Sequence, residues 1–359
     1  MTILSQQPLR IGIAGLGTVG GGVAKLLAQN AEIIEQRTGR KLTVTAVSAK
    51  DKSEMEALPL GGAKWVADAL ALSDDVDVVV ELIGGSEGIA RKLVEKSLSA
   101  GKNVVTANKA LLATHGLGLA QMAETSGATL AFEAAVAGGI PIIKAMRESL
   151  AGNRFSKVLG ILNGTCNYIL TEMWERKCSF DEALKDAQKL GYAEANPGFD
   201  VDGVDTAHKT AILASLAFGC APDLAQVQAT GIRGITLKDM ESAAANNSRI
   251  KLLGVATLKD GKIAQRVQPC LVPASSPLYH VQGVVNGVIV EGDAVGTVFF
   301  QGRGAGSLPT ASAVVADLMD MARGVAYKPF ILPAAQLQAL PPVKASETKT
   351  PLPIRIEDL

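Results

Sequence analysis

The sequence predicts an α/β fold, a parallel sheet covered by helices on both faces, followed by a second domain of α+β type. Three observations carry that expectation. Over residues 1–140, short runs of apolar and β-branched residues alternate with helical stretches, the pattern of strands buried on both faces. A glycine-rich turn joins the first of these strands to the first helix. Near Pro141 the pattern changes, and helices are then followed by pairs of strands.

Residues 9–15 (LRIGIAG) read as a buried strand and residues 19–30 as the helix after it. Further strands are expected at 42–48 (LTVTAVS), 76–83 (VDVVVELI), 103–107 (NVVTA) and 129–132, with a helix at 88–100. Each is a short apolar run bounded by turn formers. In the second half, a strand is expected at 156–162, then helices at 166–177, 180–190 and 205–219. Strand-like runs follow at 265–272, 287–291 and 296–301. A helix at 310–322 follows the glycine cluster 302–306 and is expected to return to the first domain. The expected domains are thus 1–140, completed by a helix near 306–325, and 141–305. The segment 326–359, with Pro329, Pro333, Pro341, Pro342, Pro351 and Pro353, reads as a tether more than a core segment.

Composition narrows the class. The chain has 359 residues, 48% of them hydrophobic and 19% charged, which suits a packed chain of two domains. Lys plus Arg and Asp plus Glu are both 35, so no global field draws nucleic acid or an anionic membrane. Four separated cysteines and three histidines argue against a zinc site or disulfide framework. No signal peptide is read in residues 1–10, and no run of about 18 apolar residues suggests a span. A cytoplasmic compartment is therefore expected. The sequons Asn163-Gly164-Thr165 and Asn246-Asn247-Ser248 read as chance matches.

Gly15-Leu16-Gly17-Thr18-Val19-Gly20 is a GxGxxG turn placed after a strand and opening a helix. The first glycine permits the tight turn, the second admits a pyrophosphate, and the third lets helix and strand pack closely. The amides at the helix start receive phosphate oxygens. This is a Rossmann-type dinucleotide site, for NADP or NAD. After the second strand stands Ser48-Ala49-Lys50-Asp51-Lys52. Lys50 would pair with a 2′-phosphate and leans towards NADP, while Asp51 keeps NAD open. Gly84-Gly85 and Thr106-Ala107-Asn108-Lys109 follow later strands, where ligands of such sheets bind. A lysine at a helix start is electrostatically poor, so Lys109 suggests an anionic ligand or a carboxylate partner.

The segment 194–209, EANPGFDVDGVDTAHK, holds Glu194, Asp200, Asp202, Asp205 and Lys209. Asp205 and Lys209 lie four apart at the start of a helix, on one face. That helix is apolar all round and hence buried, so its charges call for partners or a function. The spacing does not fit a calcium loop. Carboxylates beside a buried lysine suit a small amino acid, with the lysine moving a proton at the reacting oxygen. The residues alone reach a dinucleotide oxidoreductase acting on a small polar substrate.

GLGTVG, TANK (106–109), FEAAVAGGIPII (132–143), GILNGTCNYIL (160–170), GYAEANPGFDVDGVDTAHK (191–209) and GAGSLPTASAVVAD (304–317) together resemble the homoserine dehydrogenases over residues 9–325. The resemblance implies interconversion of L-homoserine and L-aspartate 4-semialdehyde in threonine, methionine and isoleucine biosynthesis. It implies Lys209 as proton donor or acceptor, Asp205 holding it and contacting substrate, and Glu194 and Asp200 binding homoserine. Lys109 would stand between nicotinamide and substrate, and Gly306 would contact the cofactor. A sodium-type ion would sit on Glu133 and the carbonyls of Val136, Gly138 and Ile140. A homodimer through the second domain's strands is also implied.

Many members carry a C-terminal ACT domain. Here residues 352–356 (LPIRI) and Glu357-Asp358-Leu359 look like its opening strand cut short, so feedback by threonine through such a domain is not expected. A dehydrogenase of another semialdehyde keeps the glycine turn but need not keep 194–209. A non-catalytic NAD(P) sensor would not need Lys109 and Lys209.

Overall fold

A computed structural model describes residues 7–343 and 353–356. Three sequence readings reach beyond these limits, among them the proline-rich segment 326–359, of which 344–352 and 357–359 lie outside the described residues. Residues 1–6 of the N-terminal reading, and Leu352 with Glu357-Asp358-Leu359 of the C-terminal one, lie outside the described residues. The chain divides into two units, residues up to 144 with 305–337, and residues 145–304 with those from 338 on.

The first unit is built on a six-stranded parallel sheet of order β3-β2-β1-β4-β5-β6. Its strands are β1 (Leu9–Ala14), β2 (Leu42–Ser48), β3 (Lys64–Trp65), β4 (Val78–Glu81), β5 (Asn103–Thr106) and β6 (Leu130–Ala131). The order reverses between β1 and β4, which is where doubly wound sheets open a crevice at their carboxyl ends. Helices α1 (Thr18–Gln29), α2 (Ala31–Thr38), α3 (Ser53–Glu56), α4 (Ile89–Ser99), α5 (Lys109–Ser126) and α6 (Ile142–Lys144) connect and follow the strands. Ile11, Ile13, Val78, Val79, Val80, Val104 and Val105 are fully buried, because a parallel sheet covered on both faces needs apolar residues at every position.

The second unit holds a seven-stranded mixed sheet. Its strands are β7 (Phe155–Ile161), β8 (Gln228–Ala229), β9 (Ser248–Lys259), β10 (Lys262–Pro273), β11 (Val285–Gly292), β12 (Gly296–Arg303) and β13 (Ile354–Arg355). The order is β12-β11-β7-β9-β10-β13, with β8 also on β10. β9 and β10 form a long hairpin in which Ser248 to Lys259 pair antiparallel with Pro273 to Lys262. Helices α7 (Gly164–Arg176), α8 (Phe180–Lys189), α9 (Gly198–Val201), α10 (Val204–Phe218) and α11 (Leu237–Ala245) belong to this unit. In α10, every residue from Asp205 to Leu216 is buried.

The chain then rejoins the first unit as α12 (Ser307–Ala322). It lies against α1 so closely that a Cβ on Gly22 would stand 2.6 Å from the Ser307 hydroxyl. One expectation needs correction. Residues 330–343 do not behave as a tether. In the first unit Phe330 is fully buried and lies 5.1 Å from the Phe132 ring, and the Ala334 amide donates to the Glu124 carboxylate. In the second unit, Ala221 donates to the Gln338 carbonyl at 3.1 Å and Val343 to the Ile263 carbonyl at 2.8 Å. Proline fixes its own φ at about −65° and removes a backbone donor but does not prevent packing, which the apolar residues between the prolines supply.

Candidate active site

The first unit presents a phosphate-binding turn. Gly15 has φ of +96°, and a Cβ there would meet the Leu82 carbonyl oxygen at 2.7 Å. A Cβ on Gly20 would stand 2.0 Å from the Gly15 carbonyl oxygen, so the helix reaches the strand only without a side chain. A Cβ on Gly17 would meet nothing within 4 Å. That face of the turn is open to a ligand, and the amides of Thr18 and Val19 open α1 beside it. The three glycines thus answer separately to turn, approach and packing.

A cavity of about 450 Å³ begins at this turn. It is lined by Gly15, Gly17, Ser48, Lys50, Glu54 and Ile83, among others. Lys50 is exposed at the end of β2. Asp51 is engaged elsewhere, since its Oδ1 accepts the Ser53 amide at 2.9 Å at the start of α3. Hydrogen bonds from the Ser53 backbone and side chain hold the Asp51 carboxyl below its usual range.

A buried carboxylate organises the neighbouring strand ends. Glu81, the last residue of β4, is fully buried. Its Oε1 accepts the amides of Ile83 at 2.8 Å and Gly84 at 2.9 Å, and its Oε2 accepts the Thr106 hydroxyl at 2.6 Å. Thr106 Oγ1 in turn accepts the Asn108 amide. Asn108 donates its side-chain amide to the Gly85 carbonyl at 2.7 Å and accepts the Leu111 amide as the N-cap of α5. Gly84 and Gly85 both have positive φ, +88° and +85°. The network therefore fixes the Gly84-Gly85 turn beside Thr106 and half-buried Lys109, the first residue of α5. Sequence reasoning missed Glu81. Its only signal was an acidic residue closing an otherwise apolar strand.

Gly306 precedes α12 with φ of +120°, in the same unit as the glycine turn. Glu133 is 2% exposed. Its carboxylate accepts the amides of Ile143 at 3.0 Å and Lys144 at 2.7 Å, and its own amide donates to Asp317. Ala137 and Gly138 both have positive φ, a turn that can direct successive carbonyls to one side. Among the described residues, no group of three or more His, Cys, Asp or Glu is placed to hold a metal, so a cation here would depend on backbone oxygens.

The second unit gathers charge at the ends of three helices. Asp205 and Lys209, in the first turns of α10, are 4% and 9% exposed. Lys209 Nζ donates to Asp205 Oδ2 and to the Leu162 carbonyl, both at 2.7 Å. Asn163 donates from Nδ2 to Asp200 Oδ1 at 2.7 Å and to Asp205 Oδ2 at 2.9 Å. Leu162 and Asn163 between β7 and α7, Asp200 of α9, and Asp205 and Lys209 of α10 thus form one bonded cluster. A surface ion pair would contribute little. A buried one is costly to break from one side, by ~3–5 kcal/mol, so this pair is held in one geometry. Burial pushes the neighbouring Cys166 thiol well above its ordinary pKa, and Asp200 and Asp205 push it the same way.

Of the other acids in 194–209, Asp202 forms a surface ion pair with Arg233. Glu194 has an exposed side chain outside the bonded cluster, and its carbonyl accepts from Gln188.

Two sequence-family models match the chain: "Homoserine dehydrogenase, NAD binding domain" over residues 15–133 and "Homoserine dehydrogenase" over residues 141–319. A homoserine dehydrogenase of Pseudomonas aeruginosa is 48% identical over 328 residues, covering 90% of this chain and 74% of that protein. One from Neisseria gonorrhoeae is 50% identical, covering 88% and 73%. The crystal structure of a homoserine dehydrogenase from Thiobacillus denitrificans superposes with a TM-score of 0.90 at 44% identity, covering 94% of this chain and 80% of that one. A hyperthermophilic archaeal homoserine dehydrogenase in complex with NADPH has a TM-score of 0.75 at 28% identity, covering 90% and 100%.

Proposed function

The chain belongs to the homoserine dehydrogenase family, and from that premise we propose that Lys209 exchanges the proton with the substrate oxygen while Asp205 holds it in place. The reaction is the NAD(P)-dependent interconversion of L-homoserine and L-aspartate 4-semialdehyde. The nicotinamide cofactor supplies or removes the hydride. In the reducing direction the carbonyl oxygen of the semialdehyde becomes an alkoxide and takes a proton from Lys209 Nζ; in the oxidising direction Lys209 receives it. The observation that carries this reading is a buried ammonium held at 2.7 Å by both a carboxylate and a backbone carbonyl, an arrangement that aims one proton-carrying group without freedom to turn away.

Asp200 and Asp205 would bind the polar groups of homoserine, and Glu194 would reach its ammonium group from the exposed segment before α9. Lys109 would stand beside nicotinamide and substrate, at the end of the loop that Glu81 organises. Gly15, Gly17, Thr18, Val19 and Gly20 would hold the pyrophosphate, with Gly84, Gly85, Thr106 and Gly306 along the rest of the cofactor. NADP is the preferred form in this reading, because Lys50 lines the cavity while Asp51 is engaged by the Ser53 amide. The NADPH complex of the archaeal relative supports it. A sodium ion on Glu133 and the carbonyls of Val136, Gly138 and Ile140 would order the segment before α6. A homodimer is supported by β12, the edge of the second sheet, whose Val298, Phe299 and Phe300 are half-buried; an open edge with apolar side chains is a pairing surface.

The test is absorbance in the reduced-nicotinamide band after adding homoserine with NADP and then with NAD. Homoserine-dependent reduction, faster with NADP, is expected, and faster reduction with NAD would overturn the role of Lys50. Lys209→Ala and Lys209→Met are expected to leave cofactor affinity near normal and to lower turnover at least ~100-fold. Turnover near that of the parent protein in either folded variant would refute the proton-transfer role.

A further inference from the structure

Asn163 has no part in the roles described above, yet it is 4% exposed and all of its side-chain hydrogen-bonding groups are engaged. Its Oδ1 accepts the Cys166 amide at 2.8 Å, capping α7. Its Nδ2 has two hydrogens, and these go to Asp200 at 2.7 Å and Asp205 at 2.9 Å. We propose that Asn163 is a positioning residue for the reaction, bridging Asp200 and Asp205 so that Asp205 Oδ2 holds Lys209 at the substrate oxygen. The inference rests on the reading of Lys209 as the proton-exchanging group.

The orientation of the amide is forced. If it were flipped, the NH2 group would face the Cys166 N–H and the oxygen would face two carboxylates, both of them repulsive contacts. The cap therefore selects the orientation that the carboxylates need. The preceding residue completes the arrangement, since the Leu162 carbonyl accepts from Lys209 Nζ. Leu162 and Asn163, between the end of β7 and the start of α7, thus hold the ammonium by backbone and the carboxylates by side chain. Asp205 Oδ2 accepts from both Asn163 and Lys209, so the pair cannot rotate without breaking a second bond.

A cap alone does not require asparagine. Serine and aspartate serve equally at that position, and their side chains are acceptors there as Asn163 Oδ1 is. They differ at the other end. Serine has no second group to reach Asp200 and Asp205. Aspartate keeps the shape but turns an oxygen towards two carboxylates, and three like charges in a buried site repel.

The experiment compares Asn163→Ser and Asn163→Asp with the parent protein, each as the full chain, by melting temperature and by steady-state kinetics with homoserine and NADP. Lys209→Met runs in parallel. For Asn163→Ser we expect kcat to fall roughly 10- to 100-fold, the loss of hydrogen bonds to charged groups. The KM for NADP should stay within about twofold. Asn163→Asp should lose more activity than Asn163→Ser. A residue that only caps a helix gives the other pattern, in which both variants match the parent, and that result would overturn the proposal. If Asn163→Asp does not fold, the split between kcat and the KM for NADP in Asn163→Ser decides the matter in the same way. Loss of turnover in Lys209→Met with unchanged Asn163 variants removes this inference and leaves the role of Lys209 standing. Retained turnover in Lys209→Met removes both.

Discussion

Lys251 lies near the start of β9, opposite Cys270 of β10, and is 2% exposed. Its Nζ donates to Asn167 Oδ1 at 2.9 Å and to the Val281 carbonyl. Two acceptors match the two hydrogens of a neutral amine. Burial first, and Arg249 second, lower its pKa from 10.5 to about 7, with Glu175 opposing them. The consequence is a stability that depends on pH. Between about 7 and 10.5 the unfolded chain carries a proton at Lys251 that the folded chain does not, so stability rises with pH across that window. Above it both states are neutral and the contribution is complete; below it both are charged and the contribution is gone. The full window corresponds to at most about 5 kcal/mol, at about 1.4 kcal/mol per pH unit. Lys251→Met removes the titration while filling the same space. The assay is urea unfolding of both proteins at pH ~7.5 and ~9, followed by fluorescence of Trp174 in the same unit. The stability of the parent relative to Lys251→Met is expected to grow by about 2 kcal/mol between those two conditions. The buried thiols of Cys220 and Cys270, raised to about 11 and about 12, act in the opposite sense at higher pH but are common to both proteins. The lost hydrogen bond to Asn167 offsets the two proteins equally at each pH. A difference that stays flat or narrows as pH rises would refute a neutral Lys251.

Two further outcomes follow from the first unit. In Gly20→Ala the new Cβ would lie 2.0 Å from the Gly15 carbonyl, so α1 must move away from the phosphate turn. NADPH affinity measured by fluorescence titration should fall at least ~10-fold, and an unchanged affinity would show that the turn does not hold the cofactor. In Glu81→Ala, the amides of Ile83 and Gly84 and the Thr106 hydroxyl lose their shared acceptor; each buried group left unpaired costs ~1–3 kcal/mol. A lower melting temperature together with a higher KM for the cofactor is expected. A loss of stability alone would confine Glu81 to a structural role.

Much of the fold was legible because local rules generate it. β1, the glycine turn and α1 are specified within residues 9–29, and the alternation that follows places β2, β4 and β5 without knowledge of their neighbours. The rules failed where local signals conflict or are absent. β9, central to the second sheet, was not read from the sequence. It is buried on both faces, so SRIKLLGVATLK shows no period of two, and its lysine interrupts the apolar run that would otherwise mark a buried strand. The start of α5 at Lys109 was read but not its extent, because His115, Gly116 and Gly118 weaken its pattern. The short α11 lacked the periodic stripe that reveals longer helices. The tail was misread because proline marks extended chain whether or not that chain is packed.

The candidate site divides along the same line. Asp205 and Lys209 are one helical turn apart, so their partnership follows from spacing alone, as does the grouping of the three glycines in the turn. Glu81, Asn163 and Lys251 were invisible because each is defined by a partner distant in sequence. Glu81 meets Thr106 across 25 positions, Asn163 meets Asp200 and Asp205 across 37 and 42, and Lys251 meets Asn167 across 84. In a sequence the three are a charge at a strand end, half of a chance sequon and a lysine in an apolar run. All three are buried, and a buried polar group persists only where its partners are in place. Asn163, which holds Asp205 beside Lys209, is thus a residue that a one-dimensional reading assigns to nothing. Partners four residues apart can be read off a helix; partners brought together by the sheet can be found only once the sheet is known.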